Sequence, residues 1–404
     1  MTLGTHRIYY ARIFGGEFRE RPREEEAPGQ EEPGIIRVIL IQGLAGTHVT
    51  WYPQLEFFSK DPRFDIVALD CRGVGLSDTP TGRWRTTDIA EDVNALVQRE
   101  LGWDQCHMLG FSLGGMVALE ASLHRPDLYK SVTLISTHAG GVLGTVLPPW
   151  GIPPFLKTFS ALNSPHAMDG GLELLFPVGF LDSDVDKVHD ELKEVANKHL
   201  RSNDRITNRF KMAWELIKQA RKYIEAKDFP EIRPEGTLKQ ISAALTHHVA
   251  WDRLHFLRVS GISFLVMAGM QDNLVNYLNA GMLADALNCP LIMKEDAGHG
   301  VNLHYPEEMN SALMAHIERA ERKKPVEGRR PLSPRDGFPP GMHPWTTALI
   351  ALVPAYWLSR RWVASSFKRF VLTATIVSLV LRMKHGPLYR VRSMLEKPAM
   401  EVRQ

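Results

Sequence analysis

GFSLGG, residues 110–115, is the stretch that decides the fold of this 404-residue chain. The short apolar segment before it predicts a buried strand, and the segment after it predicts a helix. Ser112 lies at the junction, where Gly110 and Gly114 leave out the Cβ atoms that would collide as strand and helix approach each other. Such a turn presents a serine hydroxyl to a pocket. Because G-x-S-x-G also occurs by chance, the prediction of a nucleophile depends on the rest of the chain.

Two later loops contain the groups that a serine nucleophile needs, a general base and a residue that orients it. His299 lies in EDAGHG, directly after an apolar run that predicts a strand. Asp272 lies in AGMQDN, directly after another such run. The order Ser, Asp, His, with each residue in a loop after a strand, predicts a catalytic triad of Ser112, Asp272 and His299.

In these motifs the chain resembles the α/β-hydrolase superfamily, in its single-domain, lid-bearing serine esterase and lipase branch. The segment ILIQGL, residues 39–44, matches the family's strand and glycine loop, although Gln42 stands where the family usually has histidine. The resemblance implies an oxyanion hole formed by the backbone N–H groups of Leu44 and Leu113.

A second turn, DCRGVGLS at residues 70–77, resembles the family's D-x-R-G-x-G-x-S sequence. We interpret Asp70 and Arg72 as residues that fix this loop. The resemblance covers about residues 35–138 and 258–318, and it extends neither to the middle of the chain nor to its tail.

The expected fold class is α/β, an α/β-hydrolase fold with a mainly parallel sheet flanked by helices. Alternating strand and helix signals support it, since this alternation is typical of parallel sheets. Strands are predicted near residues 8–14, 36–42, 65–70, 106–111, 131–136, 262–267 and 290–293. Helices are predicted near residues 51–59, 87–101, 113–124 and 307–322. An acidic, proline-containing stretch, residues 17–34, predicts a solvated loop.

The middle of the chain predicts a helical lid, because this family inserts its lid at that place and such loops gate pockets. It opens with proline-rich turns at 147–154 and continues with helical patterns near 183–201, 204–226 and 236–256. Its apolar residues either form the core of the lid or line a binding site for an apolar acyl group. They are Phe155, Leu156, Phe159, Leu172, Leu174, Leu175, Phe176 and Phe180. The predicted domains are a hydrolase core in two parts (residues 1–139 and 257–322), a lid (140–256), a linker (323–344) and a tail (345–404).

Several other residues compete for a role in the site. We favour His299 over His304 as the base, because the flanking glycines expose an imidazole whereas Tyr-Pro after His304 predicts a helix entry. His138 follows a predicted strand and is placed at the pocket mouth. A histidine cluster raises a zinc hypothesis, but it lacks a Cys or Glu partner pattern, so no metal or cofactor is predicted. Its members are His247, His248 and His255.

The composition limits where the protein is expected to be located and which partners it is expected to bind. The formal charge of +2 by itself argues for no particular partner, and no nucleic-acid partner is expected. Three cysteines, all beside apolar runs, predict buried reduced thiols instead of a disulfide framework. The first sixteen residues lack the apolar stretch of a signal peptide, so we expect an intracellular protein on the cytoplasmic side.

The tail, residues 345–404, is the second unusual feature. Two apolar runs, 345–358 and 370–381, are each shorter than the roughly 20 residues that a spanning helix needs. Residues 359–404 carry ten Lys or Arg and two Glu. Apolar runs beside concentrated positive charge favour an interfacial anchor on an anionic membrane surface, and the alternative is a pair of helices packed on the hydrolase body or on another subunit.

The sequence therefore predicts a serine hydrolase that cleaves a carboxylic ester of an apolar or lipid substrate through an acyl-enzyme. The same triad also serves acyltransferases, thioesterases, amidases and carbon–carbon bond hydrolases. A ligand-binding protein with a vestigial triad is the alternative from another class, and a nucleophile on a strained turn argues against it.

Overall fold

An eight-stranded, mainly parallel sheet forms the centre of the computed structural model. The model describes residues 2–3, 6–15, 17–19, 34–141, 144, 147–160, 166–201, 204–226 and 234–322. The strands in these residues are β1 (Thr2–Leu3), β2 (His6–Arg7), β3 (Tyr10–Phe14), β4 (Glu17–Arg19), β5 (Ile36–Ile41), β6 (Phe64–Leu69), β7 (Cys106–Phe111), β8 (Tyr129–Ile135), β9 (Ser263–Gly269) and β10 (Leu291–Lys294). The strand order is β10-β9-β8-β7-β5-β6-β3-β4, and β1 pairs with β2 separately.

The register of the sheet brings several strand ends to one edge. Strands β5 to β10 pair in parallel, whereas β3 runs antiparallel to both β4 and β6. Residues of β6, β7 and β9 are buried throughout, as expected of strands covered on both faces. Since parallel strands end at the same edge, the loops after β5, β7, β9 and β10 lie together there.

Helices cover both faces of this sheet. In the described residues they are α1 (Tyr52–Phe58), α2 (Thr86–Ala95), α3 (Leu113–His124), α4 (Ile152–Ser160), α5 (His166–Leu175), α6 (Val178–Asp182), α7 (Asp190–His199), α8 (Asn208–Ala226), α9 (Pro234–Leu245), α10 (Trp251–Val259), α11 (Leu278–Leu287), α12 (Val301–His304) and α13 (Pro306–Glu321). Apolar side chains of α2, α3 and α11 form one core cluster with the sheet. Those of α1 and α13 form another. This layered arrangement confirms the predicted fold class.

Helices α4 to α10 lie between β8 and β9, in the segment predicted to be a lid. A small apolar cluster joins α5, α6 and α8 to Leu303. Its other members are Leu172, Phe176, Leu181 and Met212. Side chains of α9 and α10 instead join the main core cluster of the sheet. The insertion therefore has one part with its own core and another part that is continuous with the hydrolase core.

The structure corrects four local expectations. The helix predicted at 236–256 is two helices, α9 and α10, because the segment between them is drawn to the sheet edge, where Val249 N–H donates to Ala139 O at 2.7 Å. The proline-rich stretch predicted as turns continues into α4, since proline is well tolerated in a first helical turn. The pattern at 183–201 is helical only in α7. The predicted loop at 17–34 begins with β4, which pairs with β3.

The three cysteines are free thiols, with Cys71 and Cys106 buried and Cys289 half-buried. Burial raises the pKa of the Cys71 and Cys289 thiols to about 12. These thiols are therefore protonated at neutral pH.

Among the helices that the structure describes, none is both long enough and apolar enough to cross a bilayer. The predicted linker at 323–344 and the predicted tail at 345–404 lie outside the described residues.

Candidate active site

Ser112 occupies a strained turn between β7 and α3. Its backbone has φ 54° and ψ −119°, a conformation that costs a non-glycine residue about 1–3 kcal/mol. The turn is tight because helix and strand almost touch: a Cβ at Gly110 would lie 2.5 Å from the carbonyl oxygen of Gly114. A side chain at Gly114 would in turn collide with the carbonyl of Ile41 in β5. The glycines of GFSLGG are thus required by packing, as the sequence predicts.

Asp272 and His299 form a buried hydrogen-bonded pair. His299 Nδ1 lies 2.7 Å from Asp272 Oδ2, and both side chains are about 2% exposed. The other carboxylate oxygen, Oδ1, accepts the N–H groups of Leu274 and Val275 at 2.7 and 2.8 Å. These bonds orient the carboxylate, which holds the proton on His299 Nδ1 and leaves Nε2 as the basic nitrogen.

The loop that carries His299 is held from both the sheet and the insertion. Ser136 Oγ donates to His299 O at 2.6 Å. Gly300 N–H donates to Leu175 O, at the end of α5, at 2.8 Å. The ring of Phe111, the residue before Ser112, lies 4.9 Å from the His299 ring. The structure therefore brings the loops of the three predicted triad residues together at the sheet edge.

In the loop after β5, two neighbouring backbone donors, Gly43 N–H and Ala45 N–H, are bonded to side chains. Gly43 N–H donates to Gln42 Oε1 at 2.8 Å, and Ala45 N–H donates to Gln240 Oε1 at 2.9 Å. Between them, the Leu44 N–H has no acceptor within the described residues, and neither has the Leu113 N–H at the start of α3.

The same loop touches the serine turn. A Cβ at Gly43 would lie 2.9 Å from Ser112 Cβ, so only glycine fits without displacement. Gln42, which replaces the usual histidine, bonds with its side chain both to Gly43 N–H and to Thr50. The loop therefore has an internal side-chain tie despite the departure from the family pattern.

Asp70 and Arg72 hold the neighbouring loop. Asp70, fully buried, accepts the His48 N–H at 2.8 Å and the Leu76 N–H at 3.1 Å. Arg72 contacts both oxygens of Asp92 at 2.6 Å. These contacts are of the loop-fixing kind expected from the sequence.

The competing residues lie in other surroundings. Asp296 accepts the Tyr305 hydroxyl at 2.5 Å, and this bond lowers the pKa of the Asp296 carboxyl. His304 packs against Phe180, with ring centres 3.8 Å apart, and burial lowers its pKa to about 4. The structure thus places His299, and not His304, against Asp272.

His138 and His247 are buried, and burial lowers the pKa of both imidazoles. His138 Nδ1 accepts the Gly140 N–H at 2.9 Å, and burial together with the nearby His299 lowers its pKa to about 4. His247 Nδ1 lies 2.9 Å from the hydroxyl of Thr86. No group of three or more candidate metal ligands occurs among the described residues.

Gln240 is the residue of this region that sequence reasoning missed. It lies on α9, and its acceptor contact reaches a residue 195 positions earlier. A single glutamine on a helix carries no motif, so only the tertiary structure reveals the contact.

A cavity of about 630 Å³ lies between the insertion and the Asp272 loop. Its lining includes Trp150, Lys157, Val178 and Met270. None of the three predicted triad residues lines it. The cavity therefore flanks the acid loop and does not open onto the serine.

The family model of the alpha/beta hydrolase fold matches residues 36–304, about two thirds of the chain. The chain belongs to this family.

Relatives and solved structures agree with that assignment. A protein of Rhizobium rhizogenes named "Putative carbamate hydrolase RutD" is 26% identical over 306 residues, covering 72% of this chain and 96% of the relative. An esterase from Exiguobacterium antarcticum superposes with a TM-score of 0.54 at 18% identity, covering 78% of this chain and 96% of the esterase. An enol-lactonase from Burkholderia xenovorans has a TM-score of 0.52 at 17% identity, covering 78% of this chain and 98% of the enol-lactonase. The structural likenesses, at such low identity, support the fold alone.

Proposed function

We propose that this α/β hydrolase is a serine hydrolase that cleaves a carboxylic ester of an apolar or lipid substrate. One observation carries the proposal: strained Ser112 adjoins two backbone N–H groups that have no acceptor among the described residues, in the same loop cluster as the buried Asp272–His299 pair. Nucleophile, base, orienting acid and oxyanion donors are the parts that acyl transfer requires.

The proposed reaction is acyl transfer to water. Ser112 Oγ attacks the ester carbonyl carbon while His299 Nε2 takes the hydroxyl proton, and the Leu44 and Leu113 N–H groups stabilise the oxyanion. The tetrahedral intermediate expels the alcohol, which receives that proton from His299. Water then attacks the acyl-enzyme, His299 takes its proton and returns it to Ser112, and the carboxylic acid leaves.

The apolar character of the substrate rests on the insertion. Leu172 and Phe176 are buried and belong to its own core, so they are not free to bind substrate. Leu175 is half-buried, and its backbone contacts the His299 loop. We propose that apolar side chains on this side of the insertion contact the acyl group.

Carbamate hydrolysis is the second candidate, because the relative that covers 72% of this chain is named for it. A carbamate carbonyl is flanked by oxygen and nitrogen, and the same triad attacks it in the same way. The two candidates differ in the acyl substituent and not in the catalytic residues.

Labelling with a fluorophosphonate tests the nucleophile. We expect one adduct on the wild-type chain, mapped to Ser112 by peptide mass spectrometry, and none on Ser112→Ala. Ser311→Ala, which removes an exposed serine on α13, is the matched control and should label normally. Labelling of Ser112→Ala at the wild-type rate would refute the assignment.

Turnover of matched esters and carbamates tests the substrate class. We expect kcat/KM to rise at least about tenfold from 4-nitrophenyl acetate to the octanoate, because each buried CH₂ contributes about 0.8 kcal/mol. If a 4-nitrophenyl alkylcarbamate of equal chain length is hydrolysed faster than the ester, the carbamate candidate replaces the ester.

A further inference from the structure

Gln240 joins the insertion to the loop that carries the proposed oxyanion donor. The residue is fully buried on α9. Its Oε1 accepts the Ala45 N–H at 2.9 Å, and its Nε2 donates to Arg72 O at 3.0 Å. One side chain therefore holds two loops of the hydrolase core, the one after β5 and the one after β6.

Helix α9 is itself fixed closely against the core. Gly236 packs on Gly73 so tightly that a Cβ at Gly236 would collide with the Gly73 carbonyl. Lys239 Nζ donates to Pro80 O at 2.7 Å, and Ala243 is fully buried in the main core cluster. Gln240 is thus presented to the β5 loop from a defined position.

The backbone that Gln240 holds is strained. Ala45 has φ 57°, in the left-handed region, which is unfavourable for a residue with a Cβ. It lies in a turn in which Gly46 N–H donates to Gly43 O at 3.1 Å. A turn that needs positive φ at its third residue usually takes glycine there. An external hydrogen bond to Ala45 compensates for part of this strain.

The hydrogen bonds on either side determine which donor remains available. The Gly43 N–H is occupied by Gln42 and the Ala45 N–H by Gln240, so the intervening Leu44 N–H is the remaining donor of these three. We propose that Gln240 is a positioning residue that holds the Leu44 N–H in place for the oxyanion, so that the oxyanion hole depends on the seating of α9. This inference rests on the proposed serine hydrolase activity.

A purely structural role predicts different behaviour. A buried amide with two hydrogen bonds stabilises the fold wherever it lies, and its removal lowers Tm because its partners are left unsatisfied. A positioning role predicts in addition a loss of transition-state stabilisation, which lowers kcat more than it changes KM, because the oxyanion develops only after attack.

The test compares Gln240→Met with Asn94→Leu. Asn94 is a buried amide on α2 that donates to Ala121 O at 3.3 Å and accepts the Tyr129 hydroxyl at 2.5 Å, remote from the β5 loop. Both substitutions replace an amide by an apolar side chain of similar size. The measurements are Tm, kcat and KM on 4-nitrophenyl butyrate, the fluorophosphonate labelling rate, and Kd for an alkylboronic acid that adds to serine.

We expect Gln240→Met to lower kcat about 10- to 100-fold with KM changed less than about threefold, because misplacing one oxyanion donor costs no more than removing it. The labelling rate and boronate affinity should fall by a similar factor. Asn94→Leu should lower Tm comparably and leave kcat within about twofold. If Gln240→Met does not fold, Gln240→Asn, which is one methylene too short for both bonds, takes its place.

A second variant tests the strain at Ala45 directly. Glycine adopts positive φ without penalty, so Ala45→Gly in the Gln240→Met background should recover at least about threefold of the lost kcat. Double-mutant coupling of this kind is expected only where the two residues act on the same loop.

The outcomes separate this inference from the function on which it rests. Absence of Ser112 labelling in the wild-type chain would refute the proposed function. Normal wild-type labelling, together with a Gln240 variant that labels at the wild-type rate and shows only a lower Tm, would refute the positioning role alone.

Discussion

Two carboxylates, Asp272 and Asp296, precede the candidate histidine in the sequence, and their contacts distinguish them. Asp272 is 2% exposed and bonded to His299, whereas Asp296 bonds to Tyr305 on the surface. The order Ser, Asp, His, with each residue in a loop after a strand, predicted Asp272 as the acid from the sequence. The two backbone N–H groups that orient its carboxylate, those of Leu274 and Val275, were not predictable, because they depend on how the loop turns.

Asp272→Asn should slow turnover by about 10⁴-fold with little change in substrate binding, since an amide neither stabilises the imidazolium nor holds the correct tautomer. The measurement is kcat and KM on a 4-nitrophenyl ester.

Asp296→Asn is the matched control for this change and should leave kcat within about threefold. A larger loss for Asp296→Asn than for Asp272→Asn would mean that the acid has been misassigned.

At the scale of helices and strands, the sequence predicted best the elements that local rules determine. β7 and α3 match their predicted bounds because buried apolar runs meet at a glycine turn. Helices α4, α5 and α6 were missed, since prolines and glycines in their sequences are equally compatible with turns. The break between α9 and α10 could not be predicted, because it results from a tertiary contact with the loop after β8.

The last helix is joined to the sheet by a charged cluster far from the site. Glu321, at the end of α13, accepts hydrogen bonds from His107 Nε2 and Lys130 Nζ, both at 2.8 Å. The His107 hydrogen bond, with that of Lys130, lowers the pKa of Glu321 to about 2 against burial, which raises it. A carboxyl with a lowered folded-state pKa stabilises the fold above its ordinary value of 4.5, and this contribution is lost as pH falls towards 2.

Glu321→Gln should therefore lower Tm at pH 7, and its difference from the wild-type chain should shrink between about pH 4.5 and pH 2. Thermal unfolding followed by circular dichroism at several pH values measures this.

Glu318→Gln provides the control on the same helix. Glu318 pairs with Arg322 at 3.3 Å in an exposed i,i+4 arrangement that contributes little. Its substitution should change Tm by about a degree or less at every pH. Equal and pH-independent effects of the two substitutions would contradict the role of the cluster.

At the scale of the whole molecule, the insertion and the core act on one site from two sides. The α5 end contacts the His299 loop through Leu175, and α9 contacts the loop after β5 through Gln240. From the sequence, the insertion was predicted to be a lid, because the family that the chain resembles inserts its lid at this place. Its contacts to the His299 loop and to the loop after β5 involve partners more than a hundred residues apart in the chain, which no local pattern reveals.

The tail at 345–404 gives the last prediction, which rests on the sequence. The three predicted triad residues, and all the strands and helices described here, lie before residue 323. Truncation after Arg322 should therefore leave ester turnover within about twofold.

The full chain should sediment with anionic vesicles and be partly released at high salt, because ten basic residues in 359–404 add an attraction that salt screens. The truncated chain should stay in the supernatant with anionic and neutral vesicles alike. If truncation gives an insoluble product while the full chain ignores vesicles, the apolar runs pack on protein and the membrane prediction is wrong.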